Sequence, residues 1–156
     1  MDPGDLGSLY QYFPTKEAML VAVAEPHVDE MTALVTEELG AGLSLPLPEL
    51  ARSLVRAAVL VHARDPKLHE MLLHELPRQG GVDLARRAEH VLRVALLGAL
   101  SSREDVRQEH LELDVSIAIT AVDAITPAAV LSDPSLLAQP HFEAEVARLV
   151  SGLLAR

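Results

Sequence analysis

From Thr15 onward the chain is a succession of apolar stripes at helical spacing, each closed by proline or glycine, a pattern that points to a packed set of helices. Thr15 is placed to N-cap a long helix whose first turn is Lys16, Glu17 and Ala18 and whose inward stripe runs Leu20, Ala24, Val28, Met31, Val35 and Leu39. Pro26 lies inside it and predicts a kink, because it removes a donor and crowds the Ala22 carbonyl; Gly40 to Gly42 predict the end. Pro48 opens another helix with Leu50, Leu54, Ala58 and Val61 inward, and Asp65-Pro66 ends it and starts the next, which runs to about Leu76. That helix carries Leu68, Met71, Leu72 and Leu76 inward before Pro77 and Gly80-Gly81 break the chain. Residues 82–100 repeat the pattern through Leu84, Ala88, Val91, Leu92, Ala95 and Ala99. A further segment is expected from about Glu104 to Ile125, and the last helix, after Gln139-Pro140, carries Phe142, Val146, Leu149, Val150, Leu153 and Leu154.

The residues that fill these stripes are mainly Ala, Leu and Val: 49% of the chain is hydrophobic and only 3% aromatic, so an all-α fold packed through aliphatic side chains is expected. At 156 residues the chain suits one domain. Val115 to Leu131 is the most apolar stretch, but Asp123 and Pro127 interrupt it, and a bilayer span needs about 20 apolar residues, so it reads as a buried helix with no membrane role. Its apolar faces all round require cover on every side, from the domain's own core or from a partner chain. Cysteine is absent, which removes disulfides, thiolate zinc sites and cysteine nucleophiles. With no apolar leader flanked by basic residues, a cytoplasmic protein is expected.

Three of the four aromatic residues, Tyr10, Tyr12 and Phe13, fall within four positions of the run Gly7 to Leu20 (GSLYQYFPTKEAML). As physics alone, such a cluster anchors a helix end. The run also resembles the end of the helix-turn-helix in the TetR/AcrR family, where a short recognition helix leads through a Phe-Pro-Ser/Thr-Lys-Glu turn into a long helix. His62 to His69 (HARDPKLH) is similar to the loosely kept region between that family's fifth and sixth helices.

The resemblance implies a division into residues 1–15, a remnant of the DNA-binding domain with its recognition helix at about 8–13, and residues 16–156, an effector-binding and dimerisation domain. It implies that Ser8, Tyr10, Gln11 and Tyr12 face the major groove or its flanking phosphates, that Lys16 holds a phosphate, and that Leu9 and Phe13 point inward. The family places two more helices ahead of this motif, which only Met1 to Leu6 precede, so operator DNA is expected as a partner only where those helices are present. The implied function is a ligand-responsive transcriptional regulator, a repressor, whose small apolar ligand modulates operator binding. Helices from Thr15 to Leu100 would enclose the pocket, and the last two helices would pair with their symmetry mates in a homodimer. The alternative is a small-molecule binding protein of the same fold with no DNA role.

From position, the candidate ligand-binding residues are His62, Met71, Leu92, Leu96 and Asp123. Asp123, inside an apolar helix, must be paired, hydrogen-bonded or open to a cavity, and Thr120 and Thr126 lie within a turn of it. His69-Glu70 and His74 do not form a zinc motif, because five residues place the two imidazoles about 140° apart round a helix. His62, His69, His74 and His90 meeting from different helices remains open, with solvated or singly bonded histidines the plainer expectation. No catalytic constellation, metal site or cofactor fingerprint is evident, so no enzyme and no cofactor are expected.

Formal net charge is −10, and the first fifty residues hold nine acids against Lys16 alone. Duplex binding draws on Lys and Arg to neutralise phosphates, so this segment repels DNA. The 156-residue polypeptide by itself is expected to show no sequence-specific, salt-dependent binding to duplex DNA in an anisotropy titration.

Overall fold

The structure, a computed structural model, describes residues 12–75, 82–137, 139 and 141–156, apart from the side chains of residues 69, 71–73 and 82. The described residues form six helices: α1 (Lys16–Ala41), α2 (Leu47–Arg64), α3 (Pro66–Glu75), α4 (Val82–Leu100), α5 (Leu111–Leu131) and α6 (Phe142–Leu154), with a short 3-10 turn (Pro134–Leu136) between the last two. The all-α expectation holds. All of the expected segment at 9–13 except Tyr12 and Phe13 lies outside the described residues.

Local chemistry sets most boundaries. Thr15 caps α1, its Oγ1 accepting from the Ala18 amide at 3.1 Å, and Asp65 Oδ1 accepts from the Leu68 amide at 3.0 Å at the start of α3. At the end of α1 the Gly42 amide donates to Glu38 O, and a Cβ at position 42 would stand 2.7 Å from Leu50 Cδ1. Gly42 is thus the residue that lets α2 approach the end of α1. Two prolines stand inside helices without ending them. α1 runs through Pro26, and α5 runs through Pro127, past the end expected at Ile125.

α2 is the central helix, packed most heavily on α6 and also on α1 and α5; α4 lies along α1 and α5, and α3 bridges α1, α2 and α5. The main core gathers Leu50, Val55, Leu100, Val106 and Val115, all at most 2% exposed. Each such side chain contributes about 1.5–3 kcal/mol. A smaller cluster joins Ala24 of α1 to Leu84 of α4, with Val28 and Leu68 against it. Val91, expected inward, is 48% exposed on the outer side of α4.

The expected helix start at Glu104 is replaced by a turn through residue 110, and the reason lies in its side chains. Arg103 donates to Leu43 O and Leu45 O, each at 2.8 Å, and pairs with Asp105 at 2.7 Å. Asp105 in turn accepts from the Leu47 amide at 3.1 Å, the first residue of α2. Arg107 bonds Leu153 O and the buried Asp114, while Gln108 Nε2 reaches the carbonyls of Leu100, Arg103 and Val106. Helical geometry would carry these polar groups away from the carbonyls they satisfy. The turn therefore fastens the α1–α2 linker and the end of α6 to the junction of α4 and α5.

Arg103 is the keystone of this turn, with a side chain only 13% exposed. Arg103→Ala is expected to destabilise the fold by about 2 kcal/mol in urea denaturation, and Arg103→Lys to recover less than half of it, because one ammonium cannot span two carbonyls and a carboxylate. A loss below about 0.5 kcal/mol for the alanine variant would show that water replaces these bonds without cost.

Candidate functional site

Aliphatic side chains that meet from five helices leave a gap between them. Leu50 and Leu54 of α2, Leu92 and Leu96 of α4, and Ala118 and Val122 of α5 form most of its wall, with Val35 of α1 on one side and Val150 and Leu154 of α6 on another. The cavity volume is about 100 Å³. Lost dispersion contacts around a void of that size cost about 2 kcal/mol at roughly 24 cal/mol per Å³, a cost that an apolar occupant would return. The α5 and α6 residues place the wall beyond the pocket expected from the helices up to Leu100 alone.

One residue of the wall is polar. Among the described residues Asp123 is the only carboxyl lining the cavity and the only lining residue that is exposed, so the side of the cavity nearest water is the Asp123 side. Its other flank faces apolar walls. Desolvation there, with Glu89 of α4 adding like-charge repulsion, raises its pKa to about 6. Among the described residues no hydrogen bond or ion pair engages its oxygens, so of the three situations open to this carboxyl the structure shows exposure at a cavity. Thr120 and Thr126 do not assist it: their hydroxyls donate to Ser116 O and Val122 O, each at 2.8 Å, within their own helix. Pro127 lacks the N–H that would otherwise reach the Asp123 carbonyl.

Three of the five expected ligand residues, Leu92, Leu96 and Asp123, stand together on this wall. His62 does not. It is buried on α2 with Nδ1 2.6 Å from Ala58 O, and since a carbonyl only accepts, Nδ1 carries the proton. Burial holds its pKa below the ordinary histidine value, opposed by the Ala58 bond and reinforced by His27. Met71 lies on α3 with its side chain outside the described set. Leu50, Leu54 and Ala58 of α2 were expected to face inward but not to line a ligand site, and Ala118 and Val122 of α5 were not named; the signal available was the all-round apolarity of the Val115–Ile125 stretch.

Of the expected DNA-facing residues, Ser8, Tyr10 and Gln11 lie outside the described residues. Tyr12 is 78% exposed, and Lys16 Nζ lies 2.8 Å from Glu75 Oε2, joining the start of α1 to the end of α3. Among the described residues no group of three or more His, Cys, Asp or Glu side chains is arranged to hold a metal ion.

The family described as "Tetracyclin repressor-like, C-terminal domain" matches residues 46–154, from just before α2 to the end of α6. No curated protein matches the chain.

A carboxyl whose folded-state pKa lies above its unfolded value favours the native state while protonated, and that advantage is lost as the pH rises through about 6. Asp123→Asn is therefore expected to stabilise the protein at about pH 8 and to be neutral below about pH 4 in urea melts. The gain is about 1 kcal/mol, discounted for the water on the open side of the carboxyl. A variant less stable than wild type at the higher pH would place Asp123 in a favourable contact instead.

Proposed function

The chain belongs to the tetracycline-repressor-like family, and on that basis we propose that it is a ligand-responsive transcriptional regulator, a repressor, in which a small apolar molecule entering the five-helix cavity modulates operator binding. The observation that carries this is the reach of α1. Val35 lines the cavity, and the same unbroken helix runs back to Lys16, beside the segment that resembles a recognition helix. Nineteen residue steps of helix separate the two, about 30 Å. A change in the wall at Val35 thus has a rigid path toward the position where DNA would lie, with Pro26 the place where α1 bends most easily.

The contacts along that path favour movement. α1 is tethered to its neighbours by exposed ion pairs, Lys16–Glu75, Glu25–Arg87 and Glu30–Arg64. Exposed pairs contribute about 0–1 kcal/mol each, so exchanging them costs little. The protein acts as a homodimer through α5 and α6. Leu113 and Ile117 on α5 and Leu149 on α6 are 58%, 45% and 54% exposed, an apolar surface that a second copy would cover. α5 is also long and apolar enough to cross a membrane by length and composition, and 44% of its most apolar window is buried in the fold. A second reading, a small-molecule binding protein without a DNA role, is favoured by one observation: the nine acids against one base in the first fifty residues.

The absence of cysteine permits a direct test, since a thiol introduced as Tyr12→Cys is the only one in the chain. Light scattering at micromolar concentration is expected to give a dimer. Spin labels at position 12 of the two copies are expected to change separation by a few ångströms when a saturating six-carbon amine or alcohol is added, and by less in Pro26→Ala. A monomer overturns the dimer; a fixed separation despite bound ligand removes the regulatory coupling and leaves the second reading.

A further inference from the structure

The cavity pairs an aliphatic interior with one carboxyl at its water-facing side, and those two features select a ligand class. We propose that the cavity takes an ammonium cation with a short aliphatic body, the cation against Asp123 and the body between Leu54, Leu92, Leu96 and Val122. The inference rests on the reading of the cavity as a ligand site and names what that site prefers.

Charge excludes the other classes in turn. An anion with the same body would meet the Asp123 carboxylate, already repelled by Glu89 of α4. Among the described residues no positive side chain is set against Asp123, so none of them neutralises it. A neutral alcohol would gain the apolar contacts and at most one hydrogen bond. A cation gains the same contacts and supplies the counter-charge that a carboxylate against apolar walls lacks. The net charge of −10 also draws cations toward the protein.

Size sets the second limit. Apolar cavities of roughly 150 Å³ admit benzene, so a space of about 100 Å³ holds about four carbons, and a six-carbon chain places its remaining carbons and the ammonium at the open Asp123 side. Because burial and Glu89 hold Asp123 partly protonated near pH 6, a bound cation shifts it toward the ionised form, and binding near that pH releases a proton.

The test is calorimetric titration of the whole chain with hexylamine, hexan-1-ol and hexanoate at about pH 7.5, where the amine is protonated and the acid ionised. Hexylammonium is expected to bind at least about tenfold more tightly than hexan-1-ol, with hexanoate weakest. Asp123→Asn is expected to bring the amine down to the alcohol's affinity. Ala118→Leu, which fills the wall, is expected to abolish binding of both. Equal affinities of amine and alcohol for the wild-type chain overturn the cation preference and leave the cavity as a ligand site. Binding of none of the three overturns both readings. Amine binding that survives Ala118→Leu assigns the cation to surface carboxylates and also overturns the proposal.

Discussion

The Arg103 guanidinium holds together parts of the chain that no helix connects. It satisfies two carbonyls of the α1–α2 linker and pairs with Asp105, which takes the first amide of α2. Leu47 begins α2 directly at this clamp and Leu100 ends α4 beside it, and both line the cavity. The separation of α2 from the α4–α5 junction, and with it one end of the cavity, is thus set by a polar contact outside the apolar core. Aliphatic packing alone is non-directional and would tolerate several separations; a forked donor with fixed geometry does not.

The scarcity of aromatic residues has a structural consequence. Helices that meet through Ala, Val and Leu fill space in small increments, and where five of them converge no side chain in the wall is large enough to close the centre. The cavity is a product of that composition as much as of topology. α5 contributes to it on one side and presents Leu113 and Ile117 to solvent on the other, so one helix joins the cavity wall to the exposed apolar surface proposed to meet a second copy. α1 joins the same wall to the segment that resembles a recognition helix. These routes, like the one along α6 from Val150 to Leu149, are single helices, an arrangement through which a small occupant can influence distant surfaces.

Much of this was legible in the sequence. Thr15 and Asp65 announced their helix starts because capping is a local matter between a side chain and an amide two or three residues on. The inward positions of α1, α2 and α6 followed from spacing, and Asp123 stood out because a carboxyl in an apolar helix needs a reason. The failures share a cause. Residues 104–110 carry helix-compatible side chains, and contacts from far along the chain, the Leu47 amide to Asp105 and Arg107 to Leu153 O, draw them into a turn. Val91 and Leu149 obey the helical period but face outward, and His62 spends its proton on a carbonyl of its own helix.

Periodicity, capping residues and composition, each read over a few neighbouring positions, were enough by themselves to determine an all-helical chain, the starts of most of its helices and the presence of one anomalous acid. Which inward faces meet, and whether they close completely, depends on side chains brought together from five helices, so only the tertiary structure decided that Leu92, Leu96 and Asp123 share a cavity while His62 does not. The physical reason is that a helix's period reports the direction of a side chain relative to its own axis, whereas a cavity is the volume left between several axes, and no local signal records that distance.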